Sequence, residues 1–155
     1  MTPEEVYRSY GRQVWRAVLA MTAGRVDVAD DVTAEAFSRL LAYDGRVRDP
    51  AAWVFRVAFR LAAAELKRER RLLPDGMPHA SRVSDPAALS GELTLALRML
   101  SAQQRVVVFL HYHADLPVSE IANLTGSSET AVKVRLHRAR RQLRTVLTDY
   151  EGSHA

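Results

Sequence analysis

Residues 119–143 read SEIANLTGSSETAVKVRLHRARRQL and contain two short helical patterns on either side of a glycine. Gly126 follows Ala122 by four residues, and Val132 follows it by ten. A helix-turn-helix needs a small residue where its helices cross, a glycine that can take positive φ in the turn, and a buried aliphatic residue on the second helix. The segment therefore predicts a helix-turn-helix with its turn at Gly126.

The second helix of this motif is strongly basic. Val132, Leu136 and Ala139 share one stripe at about 100° per residue, whereas residues 130–147 carry six Lys or Arg and no acid. A solvated face usually mixes signs, because opposite charges one turn apart stabilise a helix and like charges do not. A charged face that is only solvated is the alternative, but the pattern favours contact with DNA. Residues near the start of the helix would then contact bases, and the arginines further along would contact phosphates. The predicted DNA-binding residues are Ser128, Thr130, Lys133, Arg135, His137, Arg138 and Arg141.

The composition indicates a folded protein. The chain has 155 residues, 48% of them hydrophobic and 26% charged, which suits one ordinary domain or two small ones. Its net charge of +4 is a weak indication of nucleic-acid binding. Cysteine is absent, which excludes disulfides, thiolate zinc sites and cysteine nucleophiles. His111 and His113 lie about 200° apart on a helix and cannot share a metal, so we expect no cofactor, no metal site and no enzymatic activity.

Helical periodicity divides the chain into two parts. Residues 72–91 collect proline, glycine and serine and predict a flexible linker. We predict an all-α protein with two small helical domains, residues 1–71 and 92–150, followed by a tail at 151–155. N-capping and proline signals predict helix starts at Pro3, Pro50 and Ala102. The helices are expected near residues 3–23, 28–43, 50–71, 92–99, 102–113, 118–125 and 128–148.

The helix predicted at 50–71 has a second basic face. When successive residues are placed about 100° apart around the helix, four of its cations fall within about 60° of one another, and Trp53 lies at the edge of this face. Such a face suits backbone phosphates and a stacked or unstacked base. A core-anchoring tryptophan is the alternative reading of the aromatic position. The predicted DNA-binding residues are Trp53, Arg56, Arg60, Lys67 and Arg71.

The preceding helix has an acidic character. Ala36, Phe37, Leu40 and Leu41 are expected to form its apolar side, and Asp30 is expected at its start. Asp31, Glu35 and Arg39 occupy the opposite arc. Acids near a helix start are favoured by the helix dipole, so a well-formed helix start is one interpretation, and a protein-binding surface is the other.

These motifs together resemble a bacterial sigma factor of the extracytoplasmic-function (ECF) group, the small type that has only regions 2 and 4. Residues 29–37 (ADDVTAEAF) resemble region 2.2 of that family, and residues 53–71 (WVFRVAFRLAAAELKRERR) resemble regions 2.3 and 2.4. Residues 100–147 are similar to region 4. The family usually has glutamine where Ala34 stands and asparagine where Arg60 stands.

The resemblance implies a role and partners for each surface. Asp31, Glu35 and Arg39 would bind the β' clamp helices of core RNA polymerase, and region 4 would approach the β flap. The loop at residues 43–49 and the helix after it would engage and melt the -10 promoter element, and the second helix of the helix-turn-helix would read the -35 element. An anti-sigma factor is an expected partner. The free protein is expected to be a monomer whose lobes could pack together.

The expected location is the cytoplasm, without membrane insertion. Residues 17–24, the longest uncharged run of the first helix, are far fewer than the roughly 20 apolar residues of a membrane span. Residues 1–5 are acidic where a secretory signal would be basic. A stand-alone helix-turn-helix regulator that never joins polymerase is the alternative to a sigma factor, and Ala34 is the feature that favours it.

Overall fold

The computed structural model describes residues 1–72 and 96–154, and the regular elements within these ranges are α-helices. The N-terminal lobe contains α1 (Pro3–Met21), α2 (Val26–Ala42) and α3 (Pro50–Leu72). The C-terminal lobe, residues 96–154, begins with a helical turn at 96–98 and continues with α4 (Ala102–Tyr112), α5 (Val118–Thr125) and α6 (Glu129–His154). The all-α prediction is confirmed. Residues 73–91 of the predicted linker lie outside the described residues.

The predicted helix starts are observed at their caps. The Thr2 hydroxyl accepts a hydrogen bond from the Glu5 amide at 3.2 Å, and the Glu5 carboxylate accepts one from the Thr2 amide at 2.9 Å. Ser101 and Gln104 form the same reciprocal box at the start of α4. The Asp49 carboxylate accepts from the Ala52 amide at 3.1 Å. These bonds satisfy amides that have no partner within the helix, which fixes where each helix begins.

The core of the N-terminal lobe lies between three mutually packed helices. Val14, Val18, Val54 and Phe59 are fully buried there, together with several alanines that let the backbones approach. Burying each such apolar side chain stabilises the fold by about 1.5–3 kcal/mol. The helices are also joined by Arg25, whose guanidinium donates to both oxygens of Glu69 at 2.7 Å.

Two expectations for α2 were wrong. Leu41 is 65% exposed, whereas Phe37 and Leu40 are 8% and 6% exposed, so the buried side of α2 is narrower than the predicted apolar side. Asp30 is not at the helix start, because α2 begins at Val26 and its first-turn acid is Asp27. The pKa of Asp27 is lowered, chiefly by the hydrogen bond from Arg25.

The helix-turn-helix prediction matches the C-terminal lobe. Gly126 caps α5 with φ of 67°, the left-handed conformation that glycine adopts without strain. Ile121 and Val132 are fully buried where α5 and α6 cross. The α6 helix runs to His154, beyond the predicted end near residue 148 and through most of the predicted tail. Because α5 has only eight residues, the motif also packs against α4, which contacts both of its helices.

A buried arginine fastens the start of the C-terminal lobe. The Arg105 side chain donates to the carbonyl oxygens of Leu97 and Leu100, at 3.1 Å and 3.0 Å. Burial lowers the pKa of Arg105, since the charged form loses solvation. The two carbonyls compensate for that loss and hold residues 96–100 against α4.

The two lobes are in contact. Helix α3 packs against α4 and α5, so one helix belongs to the N-terminal core and also covers part of the C-terminal lobe. Phe59 of α3 lies 5.5 Å from the ring centroid of Phe109 in α4. The basic face of α3 is consequently partly covered by the C-terminal lobe.

Candidate nucleic-acid interface

Helix α6 presents an exposed basic surface. Val132, Leu136 and Ala139 are buried against α4 and α5, and this fixes the direction of the remaining side chains. Ser128 and Thr130 are exposed at its N-terminal end, and the Ser128 hydroxyl accepts from the Ala131 amide at 3.1 Å. The α6 basic face consists of Lys133, His137, Arg138 and Arg141, all exposed.

Arg135 lies apart from that face. Its side chain is half-buried and donates to the Ser127 hydroxyl at 2.5 Å. It lines a small cavity between the lobes with Ala63 and Leu66 of α3. In this conformation Arg135 therefore supports the turn of the motif and does not share the solvent exposure of Lys133 or Arg138.

Arg140 has a neighbour that the sequence did not indicate. Its guanidinium donates to the Tyr112 hydroxyl and lies 5.5 Å from the centroid of the Tyr112 ring. A cation above an aromatic face is attracted by the ring quadrupole. This contact joins the end of α4 to the exposed side of α6 and holds one arginine in a fixed direction.

A second basic site lies where α2 leads into α3. The rings of Tyr43 and Trp53 are 5.6 Å apart between centroids and tilted by 38°. Arg46, Arg48 and Arg56 line the same surface pocket, and these five residues define the aromatic-arginine pocket. Tyr43 is 51% exposed, so its ring is accessible. Flat rings beside guanidinium groups suit stacking with a base and contact with its phosphates.

Gly45 makes room for the Tyr43 ring. A Cβ atom at position 45 would lie 2.6 Å from two ring-end atoms of Tyr43, closer than real contacts allow. The loop therefore holds this aromatic ring against its own backbone. Sequence reasoning assigned the loop at residues 43–49 as a whole but did not single out Tyr43, Arg46 or Arg48, although two arginines so close to a tyrosine were a usable signal.

The other predicted cations of α3 are placed differently. Arg56 donates to the carbonyl oxygen of Ala114 at 3.3 Å, and Arg60 bonds to Glu120 at 2.5 Å, both in the C-terminal lobe. Lys67 approaches Gly126, with its Cε 3.1 Å from where a Cβ would be. Arg71 lies within α3, and its side chain is outside the described residues.

The acidic surface of α2 is solvent-facing. Asp31, Glu35 and Arg39 are all exposed, and the Arg39 guanidinium donates to Glu35 at 2.9 Å. Asp30 accepts a hydrogen bond from the Trp15 indole at 2.7 Å, which joins α1 to α2. Ala34 is exposed between the charged residues. The three predicted residues thus form one accessible patch.

Two kinds of site were not found in the part of the chain that the structure describes. No group of three or more His, Cys, Asp or Glu side chains is arranged to hold a metal ion among those residues. Within the same residues, no helix is both long and apolar enough to cross a membrane.

Comparison with known proteins gives the family. The profile for Sigma-70 region 2 matches residues 6–72, and the profile for Sigma-70, region 4 matches residues 90–143. The ECF RNA polymerase sigma factor SigL of Mycobacterium tuberculosis is 31% identical over 156 residues, covering 93% of this chain and 88% of SigL. The chain belongs to the ECF sigma factors. The two matched regions include the aromatic-arginine pocket and the α6 basic face.

Other ECF sigma factors are similar over different lengths. BldN of Streptomyces coelicolor is 32% identical over 160 residues, covering 93% of this chain and 60% of BldN. SigI of M. tuberculosis is 36% identical over 136 residues, covering 77% of this chain and 47% of SigI. The matched part thus spans about half the length of SigI.

Two solved structures share the fold of this ECF sigma factor. The sigma factor RpoE of Bartonella quintana, solved in complex with the anti-sigma factor NepR, superposes with a TM-score of 0.53 at 18% identity. That alignment covers 94% of this chain and 96% of RpoE. M. tuberculosis SigJ superposes with a TM-score of 0.51 at 26% identity over 88% of this chain and 51% of SigJ.

Proposed function

We propose that this chain binds core RNA polymerase, directs it to promoters and opens DNA at the -10 element to start transcription. The observation that carries this proposal is that the aromatic-arginine pocket and the α6 basic face occur together on one chain. An exposed basic helix suits duplex DNA and a pocket of aromatic rings and arginines suits an unstacked base, and these are the two forms of DNA at an opening promoter.

Each surface has a proposed partner. The exposed patch of Asp31, Glu35 and Arg39 would contact the β' clamp helices, and the C-terminal lobe would contact the β flap. The α6 basic face would bind the -35 element. The pocket would hold an unstacked base of the -10 element, with Arg60, Lys67 and Arg71 following the backbone. We propose residues 1–71 and 92–150 as the two working domains.

The proposed role also implies a location, an oligomeric state and a regulatory partner. A factor that acts on polymerase and promoter DNA would work in the bacterial cytoplasm as a monomer between rounds of initiation. Because RpoE was solved with NepR, we also propose that an anti-sigma factor binds this chain. The role requires no cofactor and no catalytic residue, because polymerase carries out the chemistry.

Transcription by purified core polymerase on a pool of genomic fragments tests the proposal. We expect initiation at sites that share two upstream blocks, and we expect Trp53→Ala to abolish most of it. Glu35→Arg should weaken binding to core polymerase. Glu4→Arg makes the same charge change at an exposed position of α1 and should leave that binding unchanged. Binding of duplex DNA without any initiation would instead support a stand-alone regulator.

A further inference from the structure

Arg140 of α6 is held in place by an uncharged partner. Its Nε donates a hydrogen bond to the Tyr112 hydroxyl, and its Cζ lies 5.5 Å from the centroid of the Tyr112 ring. A cation above an aromatic face is attracted by the ring quadrupole, which does not cancel the charge of the cation. Two interactions therefore fix the direction of this guanidinium without neutralising it.

The arginines that form ion pairs within the described residues differ from Arg140 in this respect. Their charges are matched by carboxylates of the fold, and they are Arg25, Arg39, Arg60 and Arg68. Residues 130–147 contain no acid, and the terminal nitrogens of Arg140 have no hydrogen-bond partner in the described parts of the chain. An arginine presents its donors as a planar fork that matches two phosphate oxygens. Arg140 thus keeps an oriented fork that is available to an anion.

Tyr112 is itself fixed at the end of α4. It is the last residue of that helix, and the His111 ring meets it edge-on, with centroids 4.8 Å apart and ring planes at 83°. His111 is half-buried, whereas Tyr112 is 50% exposed. Tyr112 therefore connects the helix behind the helix-turn-helix to the solvent side of α6.

Arg140 belongs to a row of side chains on one flank of α6. At about 100° per residue, four exposed basic side chains fall within about 60° of one another, and they are Lys133, His137, Arg140 and Arg144. At a rise of about 1.5 Å per residue, the row is about 16 Å long. Lys133 and His137 are predicted DNA-binding residues near the start of the helix. A DNA strand that leaves these two residues along the same flank would next meet Arg140.

We infer that Arg140 binds a phosphate of the duplex that α6 contacts, and that Tyr112 is the positioning residue for this bond. The inference rests on the proposed function, since it concerns binding of the same duplex. Tyr112 holds the guanidinium in one direction before DNA arrives, so less side-chain freedom is lost on binding. Ordering one long side chain in advance raises affinity by about two- to tenfold. Tyr112 has this effect without touching DNA.

Fluorescence anisotropy of a labelled duplex of mixed sequence, about thirty base pairs long, tests the phosphate contact with the full chain. Arg140→Ala should reduce the slope of log affinity against log salt by about 0.9, the share of one phosphate. Arg16→Ala removes the same charge at an exposed position of α1 and should leave the slope unchanged. Equal slopes for the two variants would exclude a phosphate contact at Arg140 and overturn the inference.

Tyr112→Phe tests the positioning role, because it removes the hydroxyl acceptor and keeps the ring. We expect duplex affinity to fall about two- to fivefold with the salt slope unchanged, since Arg140 still reaches phosphate. Tyr112→Leu also removes the ring and should lower affinity further, up to about tenfold. Tyr7→Phe removes an exposed hydroxyl from α1 and should leave duplex affinity as it is.

A double variant distinguishes positioning from other effects of Tyr112. When Arg140→Ala is already present, Tyr112→Phe should cause no further loss, because no guanidinium remains to be positioned. An undiminished loss in that background would overturn the inference, as would unchanged affinity for both Tyr112 variants when Arg140 is intact. These measurements contain no polymerase. If the variants behave as described but the chain does not start transcription, only the proposed function fails.

Discussion

The Tyr43 ring lies beside the Trp53 ring, with centroids 5.6 Å apart, at the entrance of the aromatic-arginine pocket. Tyr43→Ala should therefore weaken single-stranded DNA binding by about 1–3 kcal/mol, the contribution of one stacked base. Tyr43→Phe keeps the ring and should retain most of the affinity. Fluorescence anisotropy with a labelled oligonucleotide measures both. Equal losses for the two variants would exclude stacking on this ring.

Gly45 has no side chain that could contact DNA, but it controls the position of the Tyr43 ring. Gly45→Ala places a Cβ within 2.6 Å of the Tyr43 ring end, so the ring has to move. We expect DNA affinity to fall toward that of Tyr43→Ala while the free energy of unfolding changes by only about 0.5 kcal/mol, as for surface substitutions. Oligonucleotide anisotropy and urea unfolding would show this. An unchanged affinity would mean that the ring position does not matter.

Arg141 and Arg135 provide a matched comparison on α6. Arg141 is exposed on the basic face, so Arg141→Ala should reduce the slope of log affinity against log salt for duplex DNA by about 0.9. Arg135 is bonded to Ser127 and half-buried. Arg135→Ala should chiefly lower thermal stability and change the salt slope less. If the slope falls more for Arg135→Ala, then Arg135 turns outward to reach phosphate.

His113 gives the stability of the fold a dependence on pH. Packing against Phe109 and Phe59 lowers the pKa of His113 by desolvation, and the nearby Asp115 carboxylate partly opposes this effect. The unfolded chain binds a proton at His113 at a higher pH than the folded protein does. The stability that neutral His113 contributes is therefore fully present above the ordinary histidine pKa of 6.5 and declines as the pH falls below that value. Unfolding measured between pH 7.5 and 5 should show this decline.

Two variants separate His113 from other titrating groups. His113→Gln should remove its part of the decline in stability. Asp115→Asn should lower the pKa of His113 further, since the attraction that favours the charged form is lost. Nuclear magnetic resonance titration of the His113 ring measures this directly. A midpoint at or above the ordinary value in the wild type would contradict the packing argument.

Sequence patterns predicted local structure well. The boxes at Thr2 and Ser101 and the turn at Gly126 depend on residues a few positions apart, and all three were found as expected. The buried stripe of α6, with Val132 and Leu136, was also predictable, because the spacing of apolar residues along the sequence is enough to define it.

Contacts between distant residues were not predictable in this way. A helical projection shows which side chains share a face, but it does not show what covers that face. It therefore placed Arg60 correctly on a basic face and gave no indication of Glu120, 60 residues further along. The same limit explains Leu41, which shares the arc of Phe37 yet is 65% exposed.

The hydrogen bond from the Trp15 indole to Asp30 has a practical consequence. Indole emission responds to nearby charge and hydration, and this indole is fixed next to the acidic patch for which we propose the polymerase clamp as the partner. A partner that binds this patch should therefore change the emission of Trp15, and a Trp53→Phe variant would leave Trp15 as the one tryptophan of the chain, so that binding is followed by ultraviolet fluorescence without attaching any dye.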